Sequence, residues 1–232
     1  MDEQRYAGQR LVQLAAPYLD RKDRVGLAAA LEGEWSPECL ALLLEDDNEA
    51  VVRAAAVSLG VVGSGKAGPS LIHLLGHENP DVVEAAEDAL WSIWFRAKGS
   101  LPQAVLGKIA QAIRNGETEN VVPMLTELIR TQPTYAEAFH QRSQAHYLRG
   151  EYEEGLRDAR RAYELNPLHF GALANIAHCY AAIGHYAEAL KSYRDALALY
   201  PHQPLIRKAI RELRERVART QLTGELMLVE AE

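Results

Sequence analysis

Residues 170–201 read FGALANIAHCYAAIGHYAEALKSYRDALALYP. In the second half of this stretch Tyr186, Ala189, Leu190, Tyr193, Ala196 and Leu197 recur every three or four positions, which makes one apolar stripe along a helix. The first half, Phe170–Ile183, predicts a second amphipathic helix. Gly184 opens the turn between them, and Pro201 cannot continue the second helix. The same punctuation recurs upstream. Pro133, Pro167 and Pro201 are spaced by 34 residues, as are Gly116, Gly150 and Gly184, and each Gly precedes its Pro by 17. A helical hairpin every 34 residues predicts stacked units, not a single globule.

That period and those residues resemble the tetratricopeptide (TPR) repeat. In the unit just quoted, Ala177 and Ala189 are small where helices touch, Tyr180 and Tyr193 are packing aromatics, and Pro201 closes the unit. AEAFHQRSQAHYLRGEYEEGLRDARRAYELNP (residues 136–167) resembles the same motif, with Gly155 for the usual Ala and Ala159 for the usual aromatic. Residues 102–135 resemble it weakly. Pro123 falls within the expected second helix, which is therefore expected to be shortened or kinked.

The N-terminal half repeats at an offset of 31. CLALLLEDDNEAVVRAAAVSLGVV aligns without gaps on SLIHLLGHENPDVVEAAEDALWSI, with identities including Leu40/Leu71, Asn48/Asn79, Val52/Val83, Ala55/Ala86 and Leu59/Leu90. Each copy reads helix, polar turn, helix. Asn79, Pro80 and Asp81 supply an N-cap, a first-turn proline and an acid at the positive helix end. The pattern resembles short HEAT-like repeats of the bilin-lyase type. Residues 1–33 read as two further helices, a degenerate capping repeat. The expected fold is all-α, an α-solenoid of helical hairpins. Its HEAT-like segment is 1–98. Its TPR-like segment is 99–220, with repeats at 102–135, 136–169 and 170–203, a capping helix from about Leu205 to Arg219, and a loosely ordered tail at 221–232. Trp91 stands where the preceding repeat has Gly60, and Trp91 and Trp94 are expected to form the joint of one continuous solenoid.

The 232 residues carry 25 Lys and Arg against 32 Asp and Glu, a net charge of -7. That balance opposes affinity by phosphate neutralisation, so nucleic-acid binding is not expected. The charge is uneven. Residues 34–98 hold eleven acids against four bases, whereas residues 201–220 hold six bases against two acids. The acidic and basic ends offer a route to a homo-oligomer. Cys39 and Cys179 form no metal or disulfide pattern, and no apolar run suits a signal peptide or a membrane span, so a cytoplasmic location is expected.

Several motifs invite chemistry. Gly60 to Ala67 fits G-x4-G-K, but Ala67 stands where a phosphate loop needs Ser or Thr, and the stretch follows a helix. His73 and His77 have metal-ligand spacing without an evident third ligand. HEAT-like iron hydroxylases carry His-Glu pairs at the start of second helices, where this chain has Val52-Arg53 and Val83-Glu84. His178 and Cys179 are adjacent and so point about 100° apart on a helix, and a core thiol is the expected role of Cys179. No catalytic residue, cofactor or metal is expected. Arg142 and Asp158 face each other across the middle hairpin, where the next repeat has Ile176 and Ser192, and are expected to form a structural ion pair.

What remains is surface. TPR stacks line a concave groove with the first helix of each pair. By spacing that face presents Glu137, His140, Gln141, Gln144, Asn175 and His178, with Tyr147 at its edge. Amides and imidazoles both donate and accept hydrogen bonds, which suits an extended peptide or an amphipathic helix. TPRs that clamp acidic chaperone tails use Lys, Arg and Asn in this groove, and only Asn175 matches them. The expected function is a non-catalytic scaffold with a protein or peptide partner. A chromophore-lyase-like enzyme subunit, or an assembly factor for a larger complex, is the alternative.

Overall fold

The computed structural model describes residues 2–117 and 119–229, with backbone only at 2–4 and 220–229. Thirteen α-helices and no strand occur among the described residues. Contacts divide the chain into two compact units, Met1–Gly107 and Lys108–Glu232. The division falls inside a helix, α7 (Ser100–Arg114).

The first unit contains α1 (Asp2–Arg21), α2 (Arg24–Leu31), α3 (Pro37–Leu42), α4 (Glu49–Val62), α5 (Gly68–Leu74) and α6 (Pro80–Arg96). Short 3-10 turns at Leu43–Glu45 and Gly65–Ala67 complete the α3 and α5 hairpins. Second helices start where the sequence supplies caps. Asn48 accepts a hydrogen bond from the Ala50 N–H at 3.0 Å, and Asn79 accepts one from Asp81 at 2.9 Å. Helix α4 is the hub, packed against α1, α2, α3 and α6. Its contact with α6 is close because Gly60 has no side chain: a Cβ there would lie 2.9 Å from Ala89 Cα. At the equivalent place in α6 stands Trp91, its ring edge-on to Trp94 at 5.1 Å.

The second unit stacks α8 (Val121–Thr131), α9 (Ala136–Leu148), α10 (Tyr152–Leu165), α11 (Phe170–Ala182), α12 (Tyr186–Leu199) and α13 (Pro204–Val229). Each helix packs on the next in chain order, and α9 also touches α11, the pattern of a hairpin ladder. Gly116, Gly150 and Gly184 adopt φ of 77°, 78° and 85°. That left-handed turn is open to glycine at little cost, which explains their 34-residue spacing. Pro123 lies in the first turn of α8, where its missing N–H would be unpaired anyway, so the helix is shortened to 11 residues. The core between α10 and α13 gathers Leu156, Leu173, Ile176, Tyr193, Ile206, Ile210 and Leu213. Helix α13 runs past Arg219 into the stretch read from sequence as a tail, whose last residues, 230–232, lie outside the described residues.

Candidate functional site

The polar face of α9 is not an open surface. Glu137, His140, Gln141 and Asn175 are 0%, 1%, 5% and 8% exposed. This corrects their reading as groove-lining residues, and the physical reason is mutual satisfaction. Gln141 Nε2 donates to Glu137 Oε1 at 2.7 Å, one helical turn along α9. His169, in the turn before α11, lies with its Nε2 2.9 Å from Glu137 Oε2. Asn175 Nδ2 lies 3.3 Å from His140 Nδ1 and 3.4 Å from Ser143 Oγ. A buried polar group so paired avoids most of the cost of leaving water. Periodicity cannot distinguish such a residue from one that faces solvent. His169 was missed for the same reason, although a His immediately before a helix is a weak capping signal.

Burial sets the charge states. Glu137 is pushed up to about 7 by desolvation, opposed by His140 and the Gln141 hydrogen bond. His140 and His169 are pushed down to about 3, again chiefly by desolvation. Both imidazoles are therefore neutral near pH 7. His169 Nδ1 accepts the Ala172 N–H at 3.2 Å and caps α11, which puts its proton on Nε2, facing Glu137.

Glu137, His140 and His169 also have the composition of a zinc site, with donor atoms within 4.8 Å of one another. The fit fails at His169. A metal on Nε2 would move the ring proton to Nδ1, where it would oppose the Ala172 N–H. The trio is arranged as a hydrogen-bond lock.

Three predicted groove residues remain partly open: Gln144, Tyr147 and His178. The Tyr147 ring lies 5.8 Å from that of His178, and Leu148 beside it is 56% exposed. His178 Nδ1 lies 2.7 Å from the Tyr193 hydroxyl. Burial pushes the Tyr193 phenol up and the His178 imidazole down, so both are neutral.

Arg142 donates to Asp158 through Nε at 2.6 Å and Nη2 at 2.8 Å, and to Thr126 Oγ1 at 3.0 Å, tying α8, α9 and α10 together. His146 extends the chain, with Nε2 3.7 Å from Asp158 and Nδ1 2.6 Å from Glu151.

The other motifs resolve structurally. In Gly60 to Ala67, the carbonyls of Gly60 and Gly63, with that of the preceding Leu59, accept from the Arg96 guanidinium. A phosphate cradle needs converging N–H groups, whereas this loop presents carbonyls. His73 lies in the last turn of α5, while His77 sits in the following turn, where its Nδ1 accepts the Asn79 N–H at 3.0 Å. The Cys179 thiol is fully buried and pushed up to about 12 by desolvation, which withholds the thiolate a nucleophile needs. No helix, among the described residues, is long and apolar enough to cross a membrane.

Comparison with known proteins agrees with this architecture. Residues 9–91 match the family described as HEAT repeats, and residues 114–196 match the family described as anaphase-promoting complex, cyclosome, subunit 3. A TPR repeat-containing protein of Rhizobium etli is 23% identical over 140 residues, covering 60% of this chain and 69% of that one. Small glutamine-rich tetratricopeptide repeat-containing protein 2 of Saccharomyces cerevisiae is 30% identical over 87 residues, 38% of this chain and 25% of that protein. Among solved structures, the first TPR domain of human RPAP3 aligns with a TM-score of 0.48 and 18% identity, over 50% of this chain and 92% of that domain. The chain carries HEAT repeats in its N-terminal part, followed by TPR-type repeats.

Proposed function

We propose that the protein is a non-catalytic interaction scaffold that receives a peptide or helix on the α9/α11 face of its TPR-type unit. The observation that carries this reading is the layering of that face. A buried polar lock of Glu137, Gln141, His169, Asn175 and His140 fixes the two helices, and above it Gln144, Tyr147 and His178 stay within reach of solvent. Repeats spend their buried residues on neighbours and leave such a strip free to vary. The inert Cys179 thiol and the unsuitable metal trio argue against a lyase-like activity. The acidity of residues 34–98 argues against nucleic acid. A cytoplasmic location and self-association through the acidic segment and α13 belong to the same proposal. Arg211 and Arg214 of α13 are exposed and form no ion pair among the described residues.

The test is affinity capture from an extract of the source organism, with wild type beside the triple variant Gln144→Ala, Tyr147→Ala, His178→Ala. Partners lost by a variant of unchanged melting temperature support the groove. Recovery of the same partners by both proteins overturns it. Sedimentation at low and high salt tests self-association, which screening should weaken.

A further inference from the structure

We infer that Tyr193 fixes His178 as the Nε2–H tautomer, so that this imidazole is a built hydrogen-bond donor for a backbone carbonyl of an uncharged, extended peptide. The inference rests on the scaffold reading and names the chemistry of its ligand.

The argument starts at Tyr193, which is 2% exposed on α12. Its hydroxyl stays protonated and, when buried, must find an acceptor. His178 Nδ1, 2.7 Å away, is the partner it has among the described residues. Were the imidazole to donate instead, the phenolic proton would be left buried and unpaired, at a cost that a simple tautomer change avoids. Tyr193 therefore donates, Nδ1 accepts, and the ring proton resides on Nε2. The rings meet edge to face at 5.3 Å and 79°. The Tyr147 ring lies 5.8 Å from the imidazole, tilted by 48°, and is itself braced by Tyr152 at 5.4 Å. Held by the Tyr193 hydroxyl and packed by two aromatic rings, His178 loses little further freedom on binding.

The rest of the strip defines what Nε2–H meets. Gln144 occupies in α9 the place His178 occupies in α11, 34 residues on. Packed helix axes lie about 8–10 Å apart, roughly the span of three extended residues. On such a spacing a chain accepted by His178 through one carbonyl would reach the Gln144 amide two or three residues later, where either a donor or an acceptor is served. Tyr147, beside His178, and the exposed Leu148 add apolar surface to the strip. The strip Gln144, Tyr147, Leu148, Ala174 and His178 carries no charged side chain, and the Glu137 carboxyl beneath it is covered. Nothing on it selects a terminal carboxylate over an internal carbonyl.

Two measurements on the full-length protein test this. In nitrogen-detected NMR of labelled protein, wild-type His178 should show protonated Nε2 and bare Nδ1, and Tyr193→Phe should convert it to a tautomer mixture. The probe for binding is a phage-displayed random dodecapeptide library selected on immobilised wild-type protein, followed by fluorescence anisotropy with an enriched peptide made acetylated and amidated. His178→Ala and Gln144→Ala should each weaken that peptide about tenfold, and Tyr193→Phe severalfold, with melting temperatures near wild type. The same peptide with a free C-terminal carboxylate should bind within about threefold of the amide. A wild-type Nδ1–H tautomer overturns the inference whatever binds. Selected peptides that ignore His178→Ala and Gln144→Ala, or that need the carboxylate, overturn the ligand assignment and leave the scaffold reading standing. An empty selection overturns both.

Discussion

Gly60 and Arg142 show how single positions carry the stack. Gly60 faces Ala89 across the α4/α6 contact, with no room for a Cβ against the Ala89 backbone. Gly60→Ala improves helix propensity by up to about 1 kcal/mol but forces two helices apart. Overpacking of this kind costs about 1–3 kcal/mol, so the variant should be less stable on urea denaturation. A more stable variant would mean that α4 and α6 slide freely. Arg142 lies in a different environment, with side-chain exposures of 18% for Arg142 and 10% for Asp158. Arg142→Ala leaves the Asp158 carboxylate nearly buried beside His146. The loss should approach the 3–5 kcal/mol seen when one partner of a buried pair is removed, reduced toward about 2 kcal/mol by residual solvent. An unchanged melting temperature would show that the guanidinium is not holding the hairpin.

At the level of elements, caps decide where helices stop. The end of α4 is finished by a residue 33 to 37 positions away: Arg96, at the end of α6, donates to the carbonyls of Leu59, Gly60 and Gly63. Those carbonyls lie at the negative end of a helix, where Leu59 already accepts the Gly63 N–H at 2.8 Å, so a guanidinium both completes the cap and meets the dipole. Arg96→Met keeps much of the aliphatic volume and removes the donors. It should cost about 1–3 kcal/mol and raise hydrogen exchange at the C-terminal turn of α4 before that of α9 or α11. Uniform exchange changes across both units would contradict a local cap. The G-x4-G-K spacing in this turn was legible as a loop, but nothing in the linear order reveals that its carbonyls are claimed by Arg96.

At the level of the whole molecule, the buried imidazoles make stability depend on pH. His140 and His169 fall from an ordinary value near 6.5 to about 3, so the unfolded chain binds more protons below pH 6.5. The stability they confer is full above that pH and is lost as pH falls toward 3. Glu137 acts in reverse. Raised from 4.5 to about 7, it favours the folded state below pH 4.5 and loses that contribution as pH rises through 7. Two histidines against one glutamate leave a net uptake of about one proton on unfolding between pH 6.5 and 4.5, worth about 1 kcal/mol per pH unit. Below pH 4.5 the decline should steepen. Denaturant midpoints at pH 7.5, 5.5 and 4 should therefore fall in that order, and His169→Gln should flatten the first step. A stability level between pH 7 and 5 would put these imidazoles in water.

The periods of 34 and 31 residues, the glycines at 116, 150 and 184 and the Asn caps were enough to establish helical hairpins and two kinds of repeat. Those features act locally: a left-handed turn, a proline or a cap constrains its own few residues wherever they lie. Which polar side chains face water is a different matter. Glu137 and Gln144 stand on the same predicted stripe, yet one is sealed by His169 from the next hairpin and the other is left partly open. Such pairing depends on atoms more than thirty residues apart meeting within 3 Å, and only packing in three dimensions brings them there.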